Sequence, residues 1–128
     1  MRELGSSQPT AVELEILRIL WELGASPVRE IHARLAEAKG TNYSTTVKML
    51  SVMLTKGLVK RDEQATPHVY RAAITRDRAA KKLLNELIEK VYEGSAMSLV
   101  LQALAGGKAS KAEILEVRKL LDEMEGQS

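Results

Sequence analysis

Ser44, Lys48, Ser51 and Thr55 recur at i, i+4, i+7 and i+11, a spacing that on a helix turning about 100° per residue aligns three hydroxyls and an ammonium on one face. Hydroxyls and lysine ammoniums bond phosphate oxygens and base edges, with lysine suited to phosphate or guanine. Val47, at the edge of the stripe, offers a methyl surface to thymine. From Lys39 to Arg61 there are five basic residues (Lys39, Lys48, Lys56, Lys60, Arg61) and no Asp or Glu. Such a local positive stripe is the footprint of phosphate binding. The candidate DNA-contacting set is Tyr43, Ser44, Thr45, Val47, Lys48, Ser51, Lys56, Lys60, Arg61 and Arg71. Singly, each fits a bland role: Ser44 as a helix cap, Lys48 as a solvated charge, Tyr43 as a ring that either stacks on a backbone sugar or pins its loop to the core.

The elements around these residues decide between the roles. Thr10-Ala-Val-Glu13 has the form of a capping box, opening a helix with an apolar stripe of Val12, Ile16, Ile19, Leu20 and Leu23, broadened by Leu14, Leu17 and Trp21 and ended by Gly24. Ser26-Pro27 reads as a cap plus a proline at the first position of a second helix, which buries Val28, Ile31 and Leu35 and stops at Lys39-Gly40. A third helix, Ser/Thr-capped, runs from Asn42–Ser44 to Gly57, with Thr46, Met49, Leu50, Val52, Met53 and Leu54 on a broad core arc. Leu58–Arg61 and Val69–Arg71 read as strands around a turn containing Pro67. Three helices, a glycine stop and a hairpin, in that order, form a winged helix.

Thr75 caps a fourth helix reaching about Tyr92, Gly94-Ser95 starts a short helix from Met97 to Ala105, and Ser110-Lys-Ala-Glu113 is a second capping box opening the last helix. These carry Leu84, Leu87, Val91, Val100, Leu101, Leu104, Val117 and Leu121 as apolar stripes. A small N-terminal domain has too little surface to cover them, so a second copy is the expected cover. The organisation expected is a flexible terminus at 1–9, a winged-helix domain at 10–75 and a helical dimerisation region at 76–128. Residues 1–75 hold ten Lys/Arg against eight Asp/Glu, and 76–128 hold nine against nine. The basic excess thus sits wholly in the first part.

At 128 residues the chain can fold without staples. With aromatics at 3% and no Phe, its core is aliphatic, with Met as filler. The absence of Cys excludes disulfides and thiolate metal sites and suits a reducing cytoplasm. No apolar run approaches the roughly 20 residues of a membrane span, and Met1–Thr10 lacks the apolar core of a signal peptide. His32 and His68 stand on different elements without nearby acids at ligand spacing. No Cys nucleophile, Gly-rich phosphate loop, HExxH or GxSxG occurs. No catalytic residue, metal or cofactor is expected. The rival from another class is a winged helix that makes protein contacts without DNA.

Several dispersed segments in one order resemble the penicillinase-repressor family of winged-helix regulators, which includes the β-lactamase and methicillin-resistance repressors and the copper-responsive repressors. They are Glu13–Gly24 (ELEILRILWELG), Val28–Ile31 (VREI), Tyr43–Thr46 (YSTT), Lys56–Val59 (KGLV), His68–Arg71 (HVYR), Ser98–Leu101 (SLVL) and Arg118–Leu121 (RKLL). The resemblance implies a homodimeric transcriptional repressor, which fits the cytoplasmic location expected from the lack of Cys and of a membrane span. Each N-terminal domain would read half of a dyad operator on double-stranded DNA, typically of TACA/TGTA type, and the C-terminal helices would interlock. It implies a recognition helix at Ser44–Lys56 and a wing at Lys60–Arg71. In β-lactam-responsive members a membrane metalloprotease sensor leads to cleavage of an Asn-Phe bond in the middle C-terminal helix, where this chain has Gln102-Ala103. Copper-responsive members end in a Cys-rich site, absent here. The wing tip, Gln64–Pro67, lacks the basic residues of many relatives.

Overall fold

The computed structural model describes residues 9–127, so the expected flexible terminus lies, except for Pro9, outside the described residues. The chain is mainly α-helical with a small antiparallel sheet, arranged as α1 (Ala11–Leu23), β1 (Ser26–Pro27), α2 (Val28–Lys39), α3 (Tyr43–Lys56), β2 (Val59–Asp62), β3 (Val69–Ala72), α4 (Arg76–Lys90), α5 (Ala96–Ala105) and α6 (Lys111–Gly126). Both capping boxes are present: the Thr10 and Ser110 hydroxyls each accept from the amide three residues on, and Glu13 and Glu113 reach back to the cap amides. Gly40 and Gly57 close α2 and α3 in the left-handed region, with φ of 68° and 79°, where any side chain would be strained.

Two local expectations are corrected. Ser26 does not cap α2. Ser26 and Pro27 instead form β1, pairing antiparallel with Tyr70 and Val69, so the sheet has three strands in the order β1-β3-β2. Ser26 is buried, and its hydroxyl donates to the Gly24 carbonyl at 2.9 Å. Proline tolerates this position because β1 lies at the sheet edge, where its missing N–H leaves no gap in the ladder. The cap of α3 is Asn42, whose side-chain oxygen accepts from the Thr45 amide at 2.9 Å and from the Ser44 hydroxyl at 3.0 Å. Ser44, the second residue of the helix, is exposed.

The chain divides into two compact units, residues 1–83 and 84–128. The first has a closed core of Ile16, Leu17, Ile19 and Leu20 from α1, Ile31 and Leu35 from α2, Leu50 and Met53 from α3, and Leu58, Val59 and Tyr70 around the wing. Each fully buried aliphatic contributes roughly 1.5–3 kcal/mol relative to exposure. Leu23 and Val52, read as core from periodicity, are exposed at 38% and 41%. Both lie at the edge of their stripe, where the buried arc is narrower than the apolar one. Trp21 is half-buried, and its indole N–H donates to the Ile74 carbonyl at 2.9 Å.

In the second unit, α5 and α6 bury no residue. Ser95 caps α5 through the Ser98 amide, and the Tyr92 hydroxyl donates to the Gln102 side chain at 2.9 Å. Among the described residues no helix is long and apolar enough to cross a membrane.

Candidate nucleic-acid interface

Helix α3 has two faces. Thr46, Leu50 and Met53 are buried, whereas Tyr43, Ser44, Thr45, Val47, Lys48, Ser51 and Thr55 are exposed. No acid occurs between Tyr43 and Lys56. The exposed stripe is therefore hydroxyl-rich, cationic at Lys48 and apolar at Val47, a mixture suited to bases and phosphates together. Thr55 is the exception in chemistry, since its hydroxyl donates back to the Ser51 carbonyl at 3.3 Å.

The start of α3 is held by α2. The Thr46 hydroxyl donates to the Asn42 carbonyl at 3.3 Å and pairs with His32 Nδ1 at 2.9 Å. Which of the two groups donates depends on the His32 tautomer. The His32 ring meets Tyr43 edge to face, with centroids 5.3 Å apart. Tyr43 remains 50% exposed, so the ring contact with His32 positions it while half of its surface stays open.

Lys56 behaves differently from the other lysines of the stripe. Its ammonium lies 2.7 Å from Glu13 Oε1, with the two side chains only 14% and 3% exposed. The same carboxylate oxygen accepts the Thr10 amide at 2.9 Å. The pair ties the end of α3 to the start of α1, and its charge is compensated inside the fold rather than offered at the surface.

The wing separates its cations by sheet parity. Register pairs Lys60 with Arg71 and Arg61 with Tyr70, placing Lys60 and Arg71 opposite each other on the exposed face. Like charges directly opposite on neighbouring strands destabilise a sheet, and Asp62, two residues from Lys60 on the same face, offsets the pair in part. Arg61 lies on the other face, against Tyr70, and bonds Glu63 at 2.6 and 3.1 Å. The Arg61 guanidinium holds the Glu63 carboxyl below the usual range. Glu63 thus offsets one wing cation.

A cleft of about 410 Å³ runs between the first turn of α2 and the wing, lined by Arg29, Tyr43, Thr66, Pro67, His68 and Tyr70 among others and by no acidic residue. Arg29 and His68 stood outside the expected interface. Their only sequence signals were membership of the short segments around Val28–Ile31 and His68–Arg71. A second cleft, of about 480 Å³, is walled by Glu15, Glu22 and Glu37 as well as arginines, so the acid-free cleft is not the general character of this surface.

A profile of the penicillinase repressor family matches residues 9–123. The chain is similar to the penicillinase repressor of Bacillus licheniformis, at 23% identity over 116 residues, 91% of each chain. It is also similar to the penicillinase repressor of Staphylococcus aureus, at 23% over 112 residues, 88% of this chain and 89% of that one. To the methicillin resistance regulatory protein MecI of Staphylococcus aureus (strain N315) it is 24% identical over 113 residues, covering 88% of this chain and 92% of the relative. A match over most of the chain, with the winged-helix order and the cationic outer faces of α3 and the wing, makes the protein a member of the penicillinase repressor family of DNA-binding transcriptional regulators.

Proposed function

We propose that the chain is a homodimeric repressor that binds a dyad operator, of TACA/TGTA type, on double-stranded DNA in the cytoplasm. In this reading α3 enters the major groove, with Ser44, Thr45, Val47, Lys48 and Ser51 toward base edges and phosphates. Lys60 and Arg71 on the wing, with Tyr43 and Arg29 beside the acid-free cleft, meet the backbone, while Arg61 contributes less because Glu63 offsets it. The observation that carries the reading is the two-faced α3, whose outer face is acid-free while its inner face is buried. Leu84, Leu87, Val91, Val100, Leu101, Leu104, Val117 and Leu121 are assigned to the dimer contact.

The test is a titration against a duplex carrying two half-sites and a random duplex at two salt concentrations. Preference for the dyad, with affinity falling steeply as salt rises, is expected. Absence of salt dependence would leave the winged helix as a protein-contact module.

Repression could end by proteolysis, as in relatives that answer a membrane metalloprotease sensor. In support, α5 buries no residue and is flanked by Gly94 and by Gly106-Gly107, so that segment opens locally at low cost. A cut between Met97 and Lys108 would sever α6 and abolish bivalent binding. Mass spectrometry of the protein from derepressed cells decides it: fragments ending in that interval support cleavage, and an intact chain rules it out.

A further inference from the structure

A groove of about 250 Å³ opens on the first unit between α1 and the start of α4. Its walls are Leu14, Trp21, Ala79, Ala80 and Leu83, and its rim carries Arg18 and Arg76. The two arginines differ in what holds them. Arg18 reaches Glu15 at 3.4 Å with its side chain 65% exposed, a loose surface pair worth little. Arg76 places its guanidinium 5.5 Å from the Trp21 ring centroid and, although it also borders the cleft walled by Glu15, Glu22 and Glu37, has among the described residues no carboxylate within ion-pair distance. The indole N–H is already satisfied by Ile74, so the ring offers the groove only its apolar surface and π face.

This combination selects one class of occupant. An apolar body fits against Trp21, Leu14 and Leu83, where polar groups would find no partner. A carboxylate fits the Arg76 guanidinium, which is planar, weakly hydrated and able to bind it through two parallel N–H donors. The α4 helix that forms one wall begins at Arg76 and continues past Leu83 into the second unit. An occupant wedged against Ala79 and Ala80 therefore acts on the segment that joins the DNA-reading unit to the helices assigned to the dimer.

We propose that this groove is an effector site for a small amphipathic organic anion, an aryl- or alkyl-carboxylate, and that its occupation weakens operator binding. The site stands apart from the DNA reading; its regulatory consequence rests on it. Trp21 is the only tryptophan in the chain, so its fluorescence, excited where tyrosine does not absorb, reports the groove directly.

The probe is 3-phenylpropionate, with the neutral 3-phenylpropanol as its shape-matched control, titrated into the full-length protein to about 20 mM at constant ionic strength, since a ligand of this size is expected to bind in the low-millimolar range. Expected is a saturable change in Trp21 emission for the acid, at least tenfold weaker for the alcohol, with operator affinity falling at least threefold at saturation. Arg76→Gln should remove the preference for the acid, and Ala80→Leu, a substitution at an exposed helical position, should abolish both responses while leaving operator affinity without probe and the thermal midpoint unchanged. The proposal is overturned by a non-saturating response, by equal binding of acid and alcohol, by a response that survives Ala80→Leu, or by operator affinity that does not move when Trp21 is saturated. It is equally overturned if Trp21 emission changes on diluting the protein through its dimer dissociation, because a second copy would then cover the groove. An operator duplex that fails to bind even without probe would count against the repressor reading, and the Trp21 titration would still stand.

Discussion

The two units solve burial in opposite ways. In residues 1–83 eleven hydrophobic residues from three helices and the sheet close on one another. In residues 84–128 most of the described aliphatics stay open: Leu101 is 60% exposed, Leu121 47%, and no residue of α5 or α6 is buried. Helices of 10 and 16 residues gain little from propensity alone, since most helical stability in proteins comes from packing an apolar face. The first unit can therefore be stable by itself, whereas the second leaves an apolar stripe exposed, which the proposed second copy would cover. In the proposed dimer this would be a division of labour: one unit would read DNA, and the other would set how many readers act together.

The largest effect follows from breaking the second unit. Leu84→Glu or Leu121→Glu places a charge on an apolar stripe and should give monomers by sedimentation. Operator affinity should fall by about 10²-fold or more, because a single half-site loses the effective concentration supplied by its linked copy. Thermal unfolding of the first unit should barely change. A wild type that is monomeric at micromolar concentration would refute the assignment of these residues.

Next in size is the Glu13–Lys56 pair, which belongs to the first unit's fold. Lys56→Ala leaves a carboxylate 3% exposed without its ammonium, a change that costs roughly 3 kcal/mol in comparable buried pairs. Chemical denaturation should show that loss, and the double variant Lys56→Met/Glu13→Leu should recover most of it. If Lys56→Ala were neutral for stability and harmful only to DNA binding, the inward placement would be wrong.

Lys56 also shows where sequence reading reaches its limit. Its linear neighbours put it in the acid-free stripe, but its partner is 43 residues away, and no local spacing reveals that. Ser26-Pro27 misled for a related reason: the pair has the local chemistry of a helix start, and only pairing with Tyr70 makes it a strand. The features that were legible are those fixed within one helical turn, such as the Thr10 and Ser110 capping boxes and the Gly57 stop. The outer face of α3 was legible because buried and exposed positions alternate with helical period, although Val52 shows that the arc was drawn too wide. Arg29 and His68 came into view only when the fold brought α2 and the wing to the two sides of one cleft.

Lys48→Ala and Thr45→Ala sharpen the comparison from the other direction, since both residues are exposed on α3 and neither supports the core. Each should leave stability unchanged and weaken operator binding by roughly 1–3 kcal/mol if it touches a base, less if it touches only phosphate. For Lys48, a uniform loss across sequences with a shallower salt slope would mark a phosphate contact. Unchanged affinity in both would remove α3 as the reader.

The smallest effect concerns the wing. Glu63 is exposed and holds Arg61, so Glu63→Gln should leave folding almost unaltered while freeing a cation on the wing face opposite to Lys60 and Arg71. Affinity for random duplex should rise severalfold at low salt, with a salt slope steeper by about one counterion. Acidification should mimic the substitution: the Glu63 carboxyl titrates below its ordinary value, so its offset of Arg61 persists above that value and is lost only as pH falls through the depressed one. Nonspecific binding by Glu63→Gln should consequently be less sensitive to acid than that of the wild type. An unchanged salt slope would mean that Arg61 stays against Tyr70 whether or not Glu63 is charged, and that the wing meets DNA through Lys60 and Arg71 alone.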